Sequence, residues 1–138
     1  MIVNAFTDGA ARGNPGESGI GVVFKDEAGT TLTKLFGYIG EATNNVAEYE
    51  ALLACLKGAA KIKCERLVVH SDSELMVRQL LGEYKVKDPG LKKLFLKAQR
   101  LIQESTFEFE IRHVTRDLNK EADHLANLGI DSRKRLRI

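Results

Sequence analysis

The sequence predicts an α/β fold that mixes antiparallel and parallel strands, and three observations predict it. Three apolar runs near the start are joined by short connections, and short connections link antiparallel neighbours. A helical pattern then leads into Leu67-Val68-Val69, a buried run that a helix delivers parallel to an earlier strand. Finally, Phe107–His113 alternates cleanly between apolar and polar residues, as a strand does at a sheet edge with one face in water.

Composition sets the outer limits. A chain of 138 residues, 43% hydrophobic and 29% charged, makes one domain with a sizeable core and is not disordered. A formal charge of +2 is too weak to argue nucleic-acid binding from bulk charge, so local clusters must carry that case. Two cysteines, Cys55 and Cys64, make no disulfide framework and fit a reducing cytosol, so a cytoplasmic location is expected. Asn4, Thr7 and Asp8 interrupt the first apolar run, and no basic region precedes it, which excludes a signal peptide. No apolar stretch is long enough to span a membrane. No repeat, low-complexity segment or clear linker divides the chain.

In chain order, Ile2–Phe6 reads as a buried strand, and Thr7-Asp8-Gly9-Ala10-Ala11-Arg12-Gly13-Asn14-Pro15-Gly16 as the loop after it. Asp8 then stands where a strand ends. The glycines let backbone amides approach a ligand, and Asn14 both donates and accepts hydrogen bonds. Asp-Gly and Asn-Pro-Gly are also common turn formers, so a plain tight turn is the alternative. Gly19–Lys25 is a second strand with Ile20, Val22 and Phe24 on one face, Asp26–Gly29 a hairpin turn, and Thr30–Ile39 a third strand.

Helix signals begin at Thr43-Asn44-Asn45, where Asn45 is the expected cap and Glu48 the glutamate of a capping box. Glu48 also heads an apolar stripe with Leu52, Cys55 and Ala59, so it points toward the sheet, where a charge needs a partner. That position favours a functional role, while Cys55 reads as a packed core thiol. The strand Arg66–Ser71 delivers Asp72, expected as the cap of helix Ser73–Leu81, to the carboxyl edge of the sheet, the usual ligand edge in open α/β folds.

Gly82–Gly90 is a short connection carrying Lys85 and Lys87. The helix Leu91–Gln103 buries Leu91, Leu94, Phe95, Ala98 and Ile102 and presents Lys92, Lys93, Lys97 and Arg100 on its other side. A charged helix face is ordinarily only solvated. His113 closes the last strand on the parity of its apolar side, where a lone histidine is more often structural. Asp117-Leu118-Asn119 opens a helix with the stripe Leu118, Ala122, Leu125 and Ala126, and Asn119 and Asp123 share a face beside it. As a first-turn acid Asp123 also suits the helix dipole. Asp131–Ile138 is a polar tail with Arg133, Lys134, Arg135 and Arg137, which reads by default as a frayed terminus.

Asp8, Glu48, Asp72 and Asp123 therefore lie where a sheet edge and two helices converge. Four such carboxylates cannot all stay ionised without cations, and hard oxygen ligands suit Mg²⁺ or Mn²⁺. No Cys/His spacing suggests zinc, and no glycine-rich loop precedes a Gly-Lys-Ser/Thr, so an NTPase is excluded.

The stretches Thr7–Gly16, Thr43-Asn44-Asn45-Val46-Ala47-Glu48, Ser71-Asp72-Ser73 and Asn119-Lys120-Glu121-Ala122-Asp123-His124-Leu125-Ala126 resemble the four motifs of type 1 ribonuclease H, in the family's order and over nearly the whole chain. The resemblance implies a five-stranded mixed sheet flanked by helices, with residues 1–130 as the catalytic domain and 131–138 as a basic tail. It implies cleavage of the RNA strand of RNA–DNA hybrids by a two-metal mechanism, leaving 3′-hydroxyl and 5′-phosphate ends, with two Mg²⁺ or Mn²⁺ ions. By position, Asp8, Glu48, Asp72 and Asp123 match the metal-binding carboxylates, Asp8 bridging. His113 matches a histidine that assists proton transfer or product release. Asn14, Asn44 and Asn45 match hybrid contacts, Thr43 a DNA-phosphate contact, and Gly9 lies in the loop whose backbone helps to read the 2′-hydroxyl. Asn119 lies where the family often has an asparagine near the substrate.

There are departures from the family pattern. Glu74 stands where many bacterial members have a substrate-touching glutamine, and Gly82–Gly90 is too short for the basic protrusion of some members. The missing protrusion resembles the shorter bacterial and archaeal branch. No separate hybrid-binding domain is expected before Met1, and a monomer without organic cofactor or membrane contact is implied. Phosphate contacts are then expected from the basic side of Leu91–Gln103 and from the tail Arg133–Arg137. The alternatives are a non-catalytic hybrid-binding module of the same fold, and a related metal nuclease that cuts DNA, such as an integrase or resolvase.

Overall fold

The computed structural model describes residues 1–136. In chain order the elements are β1 (Ile2–Gly13), β2 (Gly16–Lys25), β3 (Thr31–Ala42), α1 (Asn44–Ile62), β4 (Arg66–Ser71), α2 (Glu74–Leu80), α3 (Pro89–Glu104), β5 (Glu108–His113) and α4 (Lys120–Ser132). The five strands form one mixed sheet in the order β3-β2-β1-β4-β5. The β1–β2 and β2–β3 pairs are antiparallel, and the β1–β4 and β4–β5 pairs are parallel. The five-stranded mixed sheet and its edge strand β5 are as expected.

Helix α1 is the crossover that parallel pairing of β1 with β4 requires. Its Leu52, Cys55 and Ala59 are fully buried against Val3, Ala5, Val22 and Phe24 of the sheet. Helix α4 covers the opposite face of β2. There a Cβ on Gly19 or Gly21 would overlap the carbonyl oxygens of Ala126 and Ala122. Only glycine lets the α4 backbone lie that close, and this approach fixes where Asp123 stands.

Several boundaries differ from expectation. Strand β1 does not end at Phe6: it pairs with β2 from Asn4↔Lys25 to Gly13↔Gly16. Asp8 therefore sits inside a central strand, and the turn shrinks to Gly13-Asn14-Pro15-Gly16, with Gly13 at φ 105. Gly9, Ala10 and Ala11 have weak strand propensity, but the neighbouring ladder overrides it. Thr43, not Asn45, caps α1: its backbone is extended and its Oγ1 accepts the Val46 N–H at 3.2 Å. Ser73, not Asp72, caps α2 by accepting the Met76 N–H, which leaves the Asp72 carboxylate to the site. A 3-10 turn at Arg116–Leu118 precedes α4, and Leu118 is 65% exposed rather than part of the buried stripe.

The polar tail leaves α4 after Ser132 and returns to the sheet. The Tyr38 N–H of β3 donates to the Lys134 carbonyl at 2.8 Å. Arg137, the last basic residue of the expected tail, lies outside the described residues.

Candidate active site

An open cleft of about 630 Å³ lies where β1, the first turns of α1 and α4, and the end of β4 meet. Asp8 and Glu48 are buried at its floor, and Asp72 is half-buried. One oxygen from each of these three carboxylates can be chosen so that all lie within 4.8 Å of one another. Asp123 completes the set from the exposed first turn of α4, in the same cleft. The convergence expected of the four acids is thus present, with three in a tight group.

Glycine at position 9 makes this possible. A Cβ there would overlap the backbone of Ala47 and Glu48, so Gly9 lets the first turn of α1 rest directly on β1. The Gly9 N–H then donates to Glu48 Oε1 at 2.8 Å and aims that carboxylate. Gly9 lines the cleft, and its N–H is bonded to Glu48.

Burial pushes the Asp8 carboxyl far above the usual carboxylate range, and the charges of Glu48, Asp72 and Asp123 push it further. Burial also raises Glu48; the Gly9 N–H opposes this, Asp72 adds to it, and Arg116 opposes it again. Such a group holds either protons or cations. An all-oxygen donor set with no Cys or His suits a hard divalent ion, so the residues present fit the metal that the fold implies.

Other expected residues separate into those the cleft includes and those it does not. Asn44 and Asn45 line it. Asn44 is also stitched to the turn before β2: its N–H donates to Asn14 Oδ1 at 3.0 Å, and its Oδ1 accepts the Ala11 N–H at 3.2 Å. Asn14 and Thr43 lie outside the wall, one bracing Asn44 and the other capping α1. Glu74 is exposed on α2, 3.7 Å from Arg78, and also outside.

Asn119 is 1% exposed, behind the carboxylates. Its Nδ2 donates to the Thr7 carbonyl at 2.9 Å and to Asp72 Oδ2 at 3.4 Å. This corrects the substrate contact implied for it, because a buried amide held by its own chain positions Asp72 instead. His113 is exposed at the end of β5, paired in register with Ser71, and does not line the cleft. Arg116 and Lys120 do line it, and sequence reasoning missed both. The available signal was their place between His113 and Asp123, where the chain returns to the site.

Residues 6–129 match the family model described as "Reverse transcriptase-like". A ribonuclease HI of Halobacterium salinarum is 39% identical over 129 residues, which are 94% of this chain and 64% of that protein. The chain thus spans less than two thirds of that relative's length. A ribonuclease H of Pseudomonas entomophila is 34% identical over 94% of this chain and 93% of its own. LC11-RNase H1, solved in complex with an RNA/DNA hybrid, superposes with a TM-score of 0.91 at 46% identity, covering 94% of this chain and 97% of that one. Likeness at such identity over nearly the whole of both chains reflects descent and not fold alone: the chain belongs to the type 1 ribonuclease H family.

Proposed function

We propose that this protein is an endonuclease that hydrolyses the RNA strand of RNA–DNA hybrids and leaves 3′-hydroxyl and 5′-phosphate ends. The observation that carries this reading is the trio Asp8, Glu48 and Asp72, with oxygens within 4.8 Å of one another under an open cleft edged by Asn44 and Asn45. The likeness to LC11-RNase H1, solved with a hybrid, supports the substrate class.

Asp8, Glu48, Asp72 and Asp123 would hold two divalent ions, Mg²⁺ or Mn²⁺. When bound, such ions supply Lewis-acid activation of water and of the scissile phosphate. The protein's own part is to preorganise charge. The charges of Glu48, Asp72 and Asp123 all act on Asp8, and the Gly9 N–H orients Glu48. Asn119 restrains Asp72. Arg116 and Lys120 place positive charge at the cleft wall, where a phosphate backbone passes. Asn44 and Asn45 supply amides at the rim, suited to the 2′-hydroxyls displayed in a wide, shallow minor groove. Asn14 and Thr43 shape the adjoining surface for the DNA strand, Glu74 flanks it, and His113 assists from the end of β5 in proton transfer or product release.

The protein acts in this reading as a monomer in a cytoplasmic compartment, without organic cofactor. Its two free cysteines are buried, and among the described residues no helix is long and apolar enough to cross a membrane. Incubation with Mg²⁺ and strand-labelled hybrid, RNA duplex and DNA duplex tests the proposal. The RNA strand of the hybrid should be cut and DNA duplex left intact; cleavage of DNA duplex instead would favour a DNA-cutting relative of the same fold.

A further inference from the structure

Seven of the lysines and arginines are held in ion pairs among the described residues. Arg12, Lys25, Lys34, Arg66, Arg78, Arg112 and Arg133 each face a carboxylate in an ion pair. Lys92, Lys93, Lys97 and Arg100 of α3 are exposed and, among the described residues, form no ion pair. The same holds for Lys85 and Lys87 in the connection before α3. From Tyr84 to the end of α3 at Glu104 these six cations meet two acids, Asp88 and Glu104, in a chain whose whole charge is +2, so the rest of the molecule is net negative. Asp88 is itself spent as the cap of α3, accepting the N–H groups of Gly90 and Leu91.

The arrangement is a stripe. At about 100° per residue, Lys92, Lys93, Lys97 and Arg100 spread over roughly 140°, centred opposite the side that buries Leu91, Phe95 and Ala98. From Lys92 to Arg100 the helix rises about 12 Å. A nucleic-acid duplex presents a phosphate about every 3.4 Å of axis on each strand, so four cations over that length match a run of backbone phosphates. None of the six lines the cleft.

Two cations of the tail, in contrast, are engaged within the molecule. Arg133 pairs with Glu17 at 2.6 Å, and Arg133 and Arg135 lie 5.8 and 5.6 Å from the Tyr38 ring centroid. A stripe of exposed cations that meets only two acids along its length is poised for an external polyanion.

We infer that the outer face of α3, extended by Lys85 and Lys87, is a second contact surface for the phosphate backbone of a nucleic-acid duplex running beyond the cleft. It rests on the reading that this protein handles hybrid duplexes, and it assigns the grip on long duplexes to α3 and not to the tail.

The test compares the parent with the variant Lys92→Gln, Lys93→Gln, Lys97→Gln and Arg100→Gln, both carrying Asp8→Asn so that nothing is cut. Binding to hybrids of about 8 and about 24 base pairs, spanning roughly 27 and 80 Å at 3.4 Å each, is measured across a salt series. On the long hybrid the log–log salt slope should flatten by about 3 to 4 units, at about 0.9 per lost phosphate contact. On the short hybrid it should not change. An unchanged slope on the long hybrid overturns the proposal. So does an equal loss from the control Lys57→Gln, Lys61→Gln and Lys63→Gln, which would reduce the effect to net charge. Capture of the parent but not the variant by phosphatidylserine vesicles, with the hybrid slope unchanged, overturns it in favour of a membrane surface. With Asp8 restored and Mg²⁺ present, the α3 variant should cut the short hybrid at the parent's rate. If the parent cuts no hybrid while the slope on the long hybrid still falls, the stripe stands and the cleavage reading fails.

Discussion

Asp8 lies inside a central strand, buried, with the charges of three other acids acting on it. Asp8→Asn keeps the shape and removes the charge, so cleavage should be abolished while hybrid binding survives. Activity within about tenfold of the parent at saturating Mg²⁺, or 1.4 kcal/mol in the barrier, would remove Asp8 from the centre of the site. Two neighbours can be separated by a paired experiment. His113 lies outside the cleft wall, and general acid–base help is worth roughly 10²–10⁴-fold. His113→Ala should therefore lower kcat and leave the metal dependence intact. Arg116 lines the cleft and faces Glu48, so Arg116→Ala should raise KM more than it lowers kcat. Steady-state kinetics on one hybrid measure both; an unchanged kcat for His113→Ala returns that residue to a structural role.

At the scale of elements, the tail has a packing role that the sequence did not show. Expected as a source of phosphate contacts, it also runs along β3, joined by the Tyr38 N–H to the Lys134 carbonyl and by Leu136 against Gly37. This covers part of an edge strand that would otherwise present unpaired backbone groups. Truncation after Ser132 should lower the melting temperature by several degrees, since about 1 kcal/mol moves a chain of this size by roughly 3–5 °C. The salt slope of hybrid binding should stay as it was. An unchanged melting temperature with a flatter slope would give the tail back its phosphate role. Helices α1 and α2 are also locked to each other, because the Tyr49 hydroxyl donates to Gln79 Oε1 at 2.6 Å with both residues buried. That bond ties the helix bearing Glu48 to the one that follows Asp72.

For the whole molecule, the carboxylate cluster links stability to pH and to metal. Asp8 and Glu48 have folded-state pKa values raised above their ordinary ones, so the folded state holds more protons than the unfolded chain over that interval. The stability they contribute is present at low pH and is lost as pH rises from the ordinary carboxylate range through their folded values. In chelator, the melting temperature of the parent should therefore fall between pH 5 and pH 9 relative to that of Asp8→Asn, which should melt higher at neutral pH. Millimolar Mg²⁺ binds the folded parent and stabilises it by mass action, so it should narrow the gap. Melting curves of both proteins across pH, with chelator and with Mg²⁺, provide the check. A parent that melts higher than Asp8→Asn in chelator at every pH would mean that Asp8 is held by favourable bonds and not strained by its neighbours.

What the sequence by itself determined is the set of elements and the acids they carry. Periodicity marked the five strands and the long helices, because a buried face must repeat at the period of its backbone. The same logic placed Glu48 on an apolar stripe and Asp72 at a strand end, so all four carboxylates were legible before any contact was known. What only the tertiary structure decided depends on neighbours distant in the chain. Strand β1 runs on through Gly9, Ala10 and Ala11 because β2 supplies a ladder, which no local propensity records. Gly9 reads as a loop glycine until α1 is seen resting on it. Asn119 reads as a substrate contact until Thr7, 112 residues away, is found to take its amide. His113 and Arg116 are three residues apart, and only the path of the turn between β5 and α4 puts Arg116 at the cleft wall and leaves His113 outside it. Basic residues in the tail and on α3 look alike in sequence; they differ because Arg133 and Arg135 fold back onto Glu17 and Tyr38, while Lys92, Lys93, Lys97 and Arg100 form no ion pair among the described residues.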